Sequence, residues 1–242
     1  MSHVLTVNLA FFSREVNPIG NIAVSDRIRR MGFLKRVVNG RVYQVFVPPG
    51  AGAKPLVVFL NGVGENGTDG DRHMSVGLPA HVRAHAATFP AVAIFPQCRG
   101  PWKFLDDDER MVLDAIEAES RTLSIDPRRI YLTGISQGGC STFDLGAKFP
   151  ERWAALVPIC GAGYRKDAAK ITAPLWIFHG ERDPAVPPSG PNHWDKKNIG
   201  GRDMAKLIPH ARYTEFPYAD HFIWDRVYGF PAMWEWMFAQ RR

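Results

Sequence analysis

Apolar and polar positions change rhythm partway along the chain. Residues 33–38 and 41–47 are short runs of Val, Phe, Leu and Tyr interleaved with charged residues, and Asn39-Gly40 separates them. Both central positions of a two-residue type I′ turn need φ > 0, which Asn and Gly tolerate. The pattern therefore predicts an antiparallel hairpin over about 31–47. Beyond Pro48-Pro49-Gly50 the apolar runs become continuous, at 56–60, 91–95, 130–133, 154–159 and 175–178. Runs of this kind suit parallel strands buried on both faces. Between the second and third, residues 105–123 carry Met111, Val112, Ala115, Ile116 and Ala118 at helical spacing. Asp106, Asp107, Asp108 and Glu109 crowd the start of that stretch, where acidic groups complement the helix dipole; a metal cluster is the weaker reading. Residues 225–239 form an aromatic amphipathic stretch expected to pack on the sheet. The pattern predicts an α/β fold, with a mostly parallel twisted sheet, helices on both faces and the hairpin in front. With no repeat, linker or low-complexity segment, residues 1–242 read as a single domain without a separate lid domain.

Composition changes this picture little. Of the 242 residues 45% are hydrophobic and 22% charged, which excludes a disordered or fibrous chain. No apolar run approaches the ~18 residues that cross a bilayer, so no membrane partner is expected. The net charge of +6 suggests an anionic partner until it is located. Residues 1–50 hold seven basic groups against two acidic ones, and the remainder holds 23 against 22. The excess is therefore local and reads as the solvated face of a strand pair, with no nucleic-acid partner implied. Residues 1–14 lack the basic stretch, apolar core and small-residue site of a secretory signal, so a cytoplasmic protein is expected. Cys98, Cys140 and Cys160 lie in or beside apolar runs and show no CxxC or zinc spacing. A Cys98–Cys160 disulfide stays open.

The candidate chemistry begins at Gly134-Ile135-Ser136-Gln137-Gly138-Gly139, which follows the 130–133 run and precedes a helical stretch. Gly-x-Ser-x-Gly between strand and helix is a nucleophile elbow: a sharp turn exposes the hydroxyl, and small neighbours let strand and helix approach. Serine is a weak nucleophile at neutral pH and needs a base oriented by a carboxylate, and in this setting the chain order is Ser, acid, His. Asp183 follows the 175–178 run, and His221 precedes the last helical stretch. Glu181, Asp220 and Asp225 compete for the acid. Asp220 adjoins His221, whose side chain should point elsewhere, and Asp225 suits a helix start. His179 reads as a packing residue at a strand end, and the other histidines have no matched acid. An oxyanion needs two donors. The backbone N–H of Gln137 supplies one, and the loop Asn61-Gly62-Val63-Gly64-Glu65-Asn66-Gly67 supplies the other, with Val63 chosen by position. No metal and no organic cofactor is required by this chemistry.

Several motifs in order, Leu60-Asn61-Gly62-Val63-Gly64-Glu65, Pro96-Gln97-Cys98, Ile125-Asp126-Pro127-Arg128-Arg129-Ile130, Gly134-Ile135-Ser136 and His179-Gly180-Glu181-Arg182-Asp183, resemble the α/β-hydrolase superfamily. From about residue 30 onward they are most like bacterial esterases often labelled predicted peptidases, related to feruloyl esterases and polyhydroxybutyrate depolymerases. The resemblance implies the α/β-hydrolase fold, a Ser136–Asp183–His221 triad and hydrolysis of small-molecule carboxylic esters. It also implies that Trp102 lines the substrate cleft. Phe222, with Trp194 and Trp224, is a further candidate for that lining. A serine peptidase and a catalytically silent binding module are the alternatives. The chain departs from the family at Asn61, where His is usual, and at Gln137, where an apolar residue is usual; both changes should make the pocket more polar. Residues 188–201 read equally as a cap over the site or as a surface loop.

Overall fold

The computed structural model describes residues 32–100 and 106–242. Strands β1 (Gly32–Val38) and β2 (Arg41–Val47) form the hairpin, closed by Asn39 at φ 48° and Gly40 at φ 73°. The continuous apolar runs become β3 (Lys54–Leu60), β4 (Val92–Pro96), β5 (Ile125–Ile135), β6 (Ala155–Ile159) and β8 (Trp176–Gly180). A further strand, β10 (Arg212–Phe216), was not expected from the sequence. The eight strands lie in the order β1-β2-β4-β3-β5-β6-β8-β10. From β4 to β10 every pairing is parallel, while β2 meets β4 antiparallel. A separate two-stranded ribbon pairs β7 (Ala162–Tyr164) with β9 (Asn198–Gly200).

Alternate residues of the central strands feed two cores, because successive side chains leave a strand on opposite faces. Leu56, Val58 and Leu60 of β3 pack into one core with Met111, Val112, Ala115 and Ile116 of α2 (Asp107–Thr122), together with Phe143 of α3 (Gln137–Lys148) and Met204 of α4 (Gly201–Leu207). Val57 and Phe59 enter the other, with Leu78 and Val82 of α1 (Leu78–Ala84), Val227 of α5 (Trp224–Tyr228) and Met233 and Met237 of α6 (Pro231–Ala239). The single C-terminal stretch expected over 225–239 is two helices. Pro231 has no N–H to continue a helix and instead opens the first turn of α6.

The basic residues of the hairpin are not simply solvated. Lys35 pairs with Asp71 at 2.7 Å, Arg36 lies 3.5 Å from Glu119, and Arg41 pairs with Asp108. Arg14, Arg27, Arg29 and Arg30 lie outside the described residues. Both Arg41 and Asp108 are buried. Arg41 also donates to the carbonyls of Gln97 and Asp107, each at 3.1 Å, while Asp108 accepts from the backbone N–H groups of Arg99 and Gly100 at 3.2 Å. The acidic start of α2 thus serves as an anchor for β2 and the β4 exit as well as a complement to the helix dipole. Removing one member of a buried, hydrogen-bonded ion pair strands the other charge, at a cost of about 3–5 kcal/mol. Arg41→Met should lower unfolding stability by about that amount in a urea titration, and Arg41→Met/Asp108→Leu should recover part of it. A double variant worse than the single would count against the pair as the source.

Candidate active site

Ser136 sits between β5 and α3 with φ 54° and ψ −118°. A non-glycine residue there is strained, and the surrounding backbone holds it. Its N–H donates to the Ile159 carbonyl at 2.9 Å, and its carbonyl accepts from Cys140 N–H at 3.0 Å. The close approach of strand and helix explains the flanking glycines. A Cβ at Gly138 would stand 2.0 Å from the Leu60 carbonyl oxygen, and one at Gly134 would stand 2.3 Å from that of Gly138. Both contacts are with backbone, which cannot rotate away.

Three side chains from separate elements converge here. His221, on the loop between β10 and α5, brings Nε2 to 2.8 Å from Ser136 Oγ. Its Nδ1 lies 2.7 Å from Asp183 Oδ2, on the loop after β8. With Nδ1 against a carboxylate, the hydrogen of a neutral ring sits on Nδ1, leaving Nε2 to accept from the serine. All three residues are buried, with Ser136 9% exposed at the floor of the cavity. The competing carboxylates are engaged elsewhere. Glu181 accepts from Tyr218 N–H at 2.7 Å, Asp220 from Phe222 N–H at 2.9 Å, and Asp225 lies in the first turn of α5.

Burial alone would raise the Asp183 carboxyl, yet its donors hold it well below the usual carboxylate range. Oδ1 accepts the N–H groups of Ala185 and Val186, both at 2.9 Å, and Oδ2 faces His221 and His179. His179 does more than pack at the strand end: its Nε2 faces the Val186 carbonyl at 2.8 Å and Asp183 Oδ2 at 3.4 Å, so it carries its hydrogen there. The Cys160 thiol lies beside the same carboxylate. The ligand atoms of Cys160, His179 and Asp183 lie within 4.8 Å of one another, a geometry that could hold a cation. Burial and the neighbouring Asp183 push the Cys160 thiol well above its usual value, so a cation there would have to displace a firmly held proton. All three cysteines are thiols, so the Cys98–Cys160 disulfide is not formed; Cys98 Sγ lies instead 3.4 Å from Asp108.

Other histidines have structural partners. His73 Nε2 meets the Phe95 carbonyl at 2.8 Å, His210 Nε2 meets that of Ala173 at 3.1 Å, and His81 stacks between His85 and Trp234.

A cavity of about 280 Å³ opens over Ser136. Val63, Phe222, Trp194 and Trp224 line it, with Ile135, Ala185, Val186 and Glu65, which the sequence reading did not assign to it. Burial pushes the Glu65 carboxyl above its usual value. Trp102 lies outside the described residues. Residues 188–201 border the cavity through Trp194 and end in β9, so the segment is a wall of the site anchored to the fold. Asn61 and Gln137 do not make the cavity more polar. Both side chains are buried, and they turn instead toward Asn66.

The chain is 26% identical over 165 residues to the protein named "Putative esterase NocK" from Nocardia uniformis subsp. tsuyamanensis, a match over 62% of this chain and 47% of that protein. Its structure is similar to that of a thermostable esterase, with a TM-score of 0.71 and 29% identity, covering 89% of this chain and 64% of the other. It is also similar to Est1E from Butyrivibrio proteoclasticus, with a TM-score of 0.62 and 16% identity, covering 86% and 98%. The chain spans about half the length of the curated relative and just under two thirds of the thermostable esterase. No family model matches it. The fold is the α/β-hydrolase fold, and the proteins of known structure that it resembles include esterases.

Proposed function

We propose that this chain is a serine hydrolase of small carboxylic esters, acting through an acyl-enzyme on Ser136. The observation that carries the reading is the continuous relay from Ser136 through His221 to Asp183 beneath an apolar cavity. In the first step His221 Nε2 takes the Ser136 proton as Oγ attacks the ester carbonyl, and the resulting imidazolium then protonates the departing alcohol. In the second step His221 deprotonates a water that attacks the acyl carbonyl, releasing the acid and restoring the serine. Asp183 fixes the imidazole tautomer and stabilises its cation without taking a proton. The backbone N–H groups of Gln137, at the first position of α3, and Val63 receive the oxyanion; the first N–H groups of a helix have no acceptor inside it. The 29% identity to an esterase supports ester cleavage over the peptidase alternative.

The cavity, at about 280 Å³, lies just below the roughly 300–1,000 Å³ typical of ligand pockets, and its walls are mainly apolar. A short acyl chain or one aromatic ring fits that description. The three described hairpin cations, Lys35, Arg36 and Arg41, each lie against a carboxylate, which favours reading them as structural and not as a nucleic-acid surface. Among the described residues no helix is long and apolar enough to cross a membrane.

Ser136→Ala should abolish turnover of p-nitrophenyl acetate and butyrate and also labelling by a fluorophosphonate probe; residual turnover at the wild-type rate would refute the assignment. A second expectation follows from the low Asp183 carboxyl. It stays ionised wherever the protein is folded and active, so Asp183 should contribute no proton to the acid-side loss of kcat/KM. A plot of log kcat/KM against pH should fall no more steeply than unit slope in Glu65→Gln, where the other carboxyl lining the cavity is gone, and a slope of two in that variant would show that Asp183 titrates.

A further inference from the structure

The two positions at which the chain departs from its resembled family, Asn61 and Gln137, are joined by a third residue, Asn66. The Asn66 Oδ1 accepts from Asn61 Nδ2 at 3.0 Å and from Gln137 Nε2 at 2.8 Å. Its Nδ2 donates to Gln137 Oε1 at 3.1 Å and to the Gly100 carbonyl. A carboxamide has two donor hydrogens and two acceptor lone pairs, so all four are used. The pairing with Gln137 is reciprocal, amide to amide. Asn61, at the end of β3, completes the set by donating to the Gly62 carbonyl at 2.7 Å and accepting from Cys98 N–H at 3.0 Å.

Asn61, Asn66 and Gln137 are not among the described residues lining the cavity over Ser136. Their network connects the two segments that must present oxyanion donors. Val63 opens the short 3-10 turn Val63–Glu65, and Asn66 closes it, its N–H donating to the Val63 carbonyl at 3.3 Å. Gln137 opens α3 directly after Ser136. Buried polar contacts that satisfy every member rigidify what they join, whereas a partly satisfied set is costly.

We propose that Asn66 is a positioning residue that clasps the Val63 turn to the first residue of the elbow helix and so sets the spacing of the two oxyanion donors. The inference rests on the esterase reading. Its effect belongs to the transition state, since the donors meet the developing oxyanion more strongly than the ground-state carbonyl. The Asn61 and Gln137 substitutions are then one feature: a polar pair that only a residue with both donors and acceptors, in register between them, can bridge.

The test compares wild type, Asn66→Ala, Asn66→Asp, Gln137→Met and Asn66→Ala/Gln137→Met with p-nitrophenyl butyrate and a trifluoromethyl ketone, which forms a tetrahedral adduct on serine. Deleting an oxyanion donor outright costs about 10²–10³ in kcat, so displacing one should lower kcat by about tenfold while KM stays within about twofold. The inhibition constant of the ketone should rise by the same factor as kcat falls. Asn66→Asp keeps the shape but cannot donate, so it should behave like Asn66→Ala. The double variant should lose no more than the worse single one. Gln137→Met approaches the clasp from the other side should Asn66→Ala not fold. Wild-type kcat in Asn66→Asp, an unchanged ketone inhibition constant, or losses that multiply in the double variant would overturn the proposal. A wild-type chain that turns over no ester and does not label would instead overturn the reading beneath it.

Discussion

A serine held at φ 54° lies in the left-handed region that side chains with a Cβ avoid, at a cost on the order of 1–3 kcal/mol. Much of the architecture around the site can be traced to keeping it there. The parallel pairing of β5 with β3 and β6 fixes one side of the turn. On the other side α3 is drawn in until Gly138 touches the carbonyl at the end of β3. The same contact brings the 61–67 loop beside Ser136, because that loop begins where β3 stops. Ser136 and that loop are therefore placed by one packing event.

Around the acid, the balance of two opposing effects is what matters. An ionised carboxylate loses hydration on burial, which favours its neutral form. Asp183 escapes this through two backbone N–H groups and two imidazoles, all directed at one carboxylate. The donors come from its own loop, the end of β8 and the loop bearing His221. Its charge thus depends on the stretch from β8 through Val186 meeting a loop 38 residues further on.

Much of this was legible in residue order, because it depended on local rules. Asn39-Gly40 announced the hairpin, continuous apolar runs marked the buried strands, and Gly134 to Gly138 marked the elbow. Strand β10 escaped notice because an edge strand has one neighbour and partial cover; its Arg212, Thr214 and Glu215 carry no apolar run. The Arg41–Asp108 pair was hidden for another reason. A basic residue at a hairpin turn and an acidic one at a helix start each have a sufficient local explanation, and only the fold shows that they meet. Asn66 was less visible still, since a loop asparagine is ordinarily a turn former. His179, whose place at a strand end suggests only packing, faces the carboxylate it precedes by four residues.

The ribbon of β7 and β9 has a consequence for how such a site could change. Trp194 stands at the tip of a short excursion whose two ends are tied together: Pro191 bridges Ile199, and Asn192 N–H donates to the Asn198 carbonyl at 2.9 Å. The excursion begins and ends at nearly one point, and the sheet does not run through it. Doubling the length of such a loop costs only about 0.6 kcal/mol in closure entropy. One wall of the cavity is therefore a separable module, whose length and side chains can vary across generations while Ser136, His221 and Asp183 keep their places.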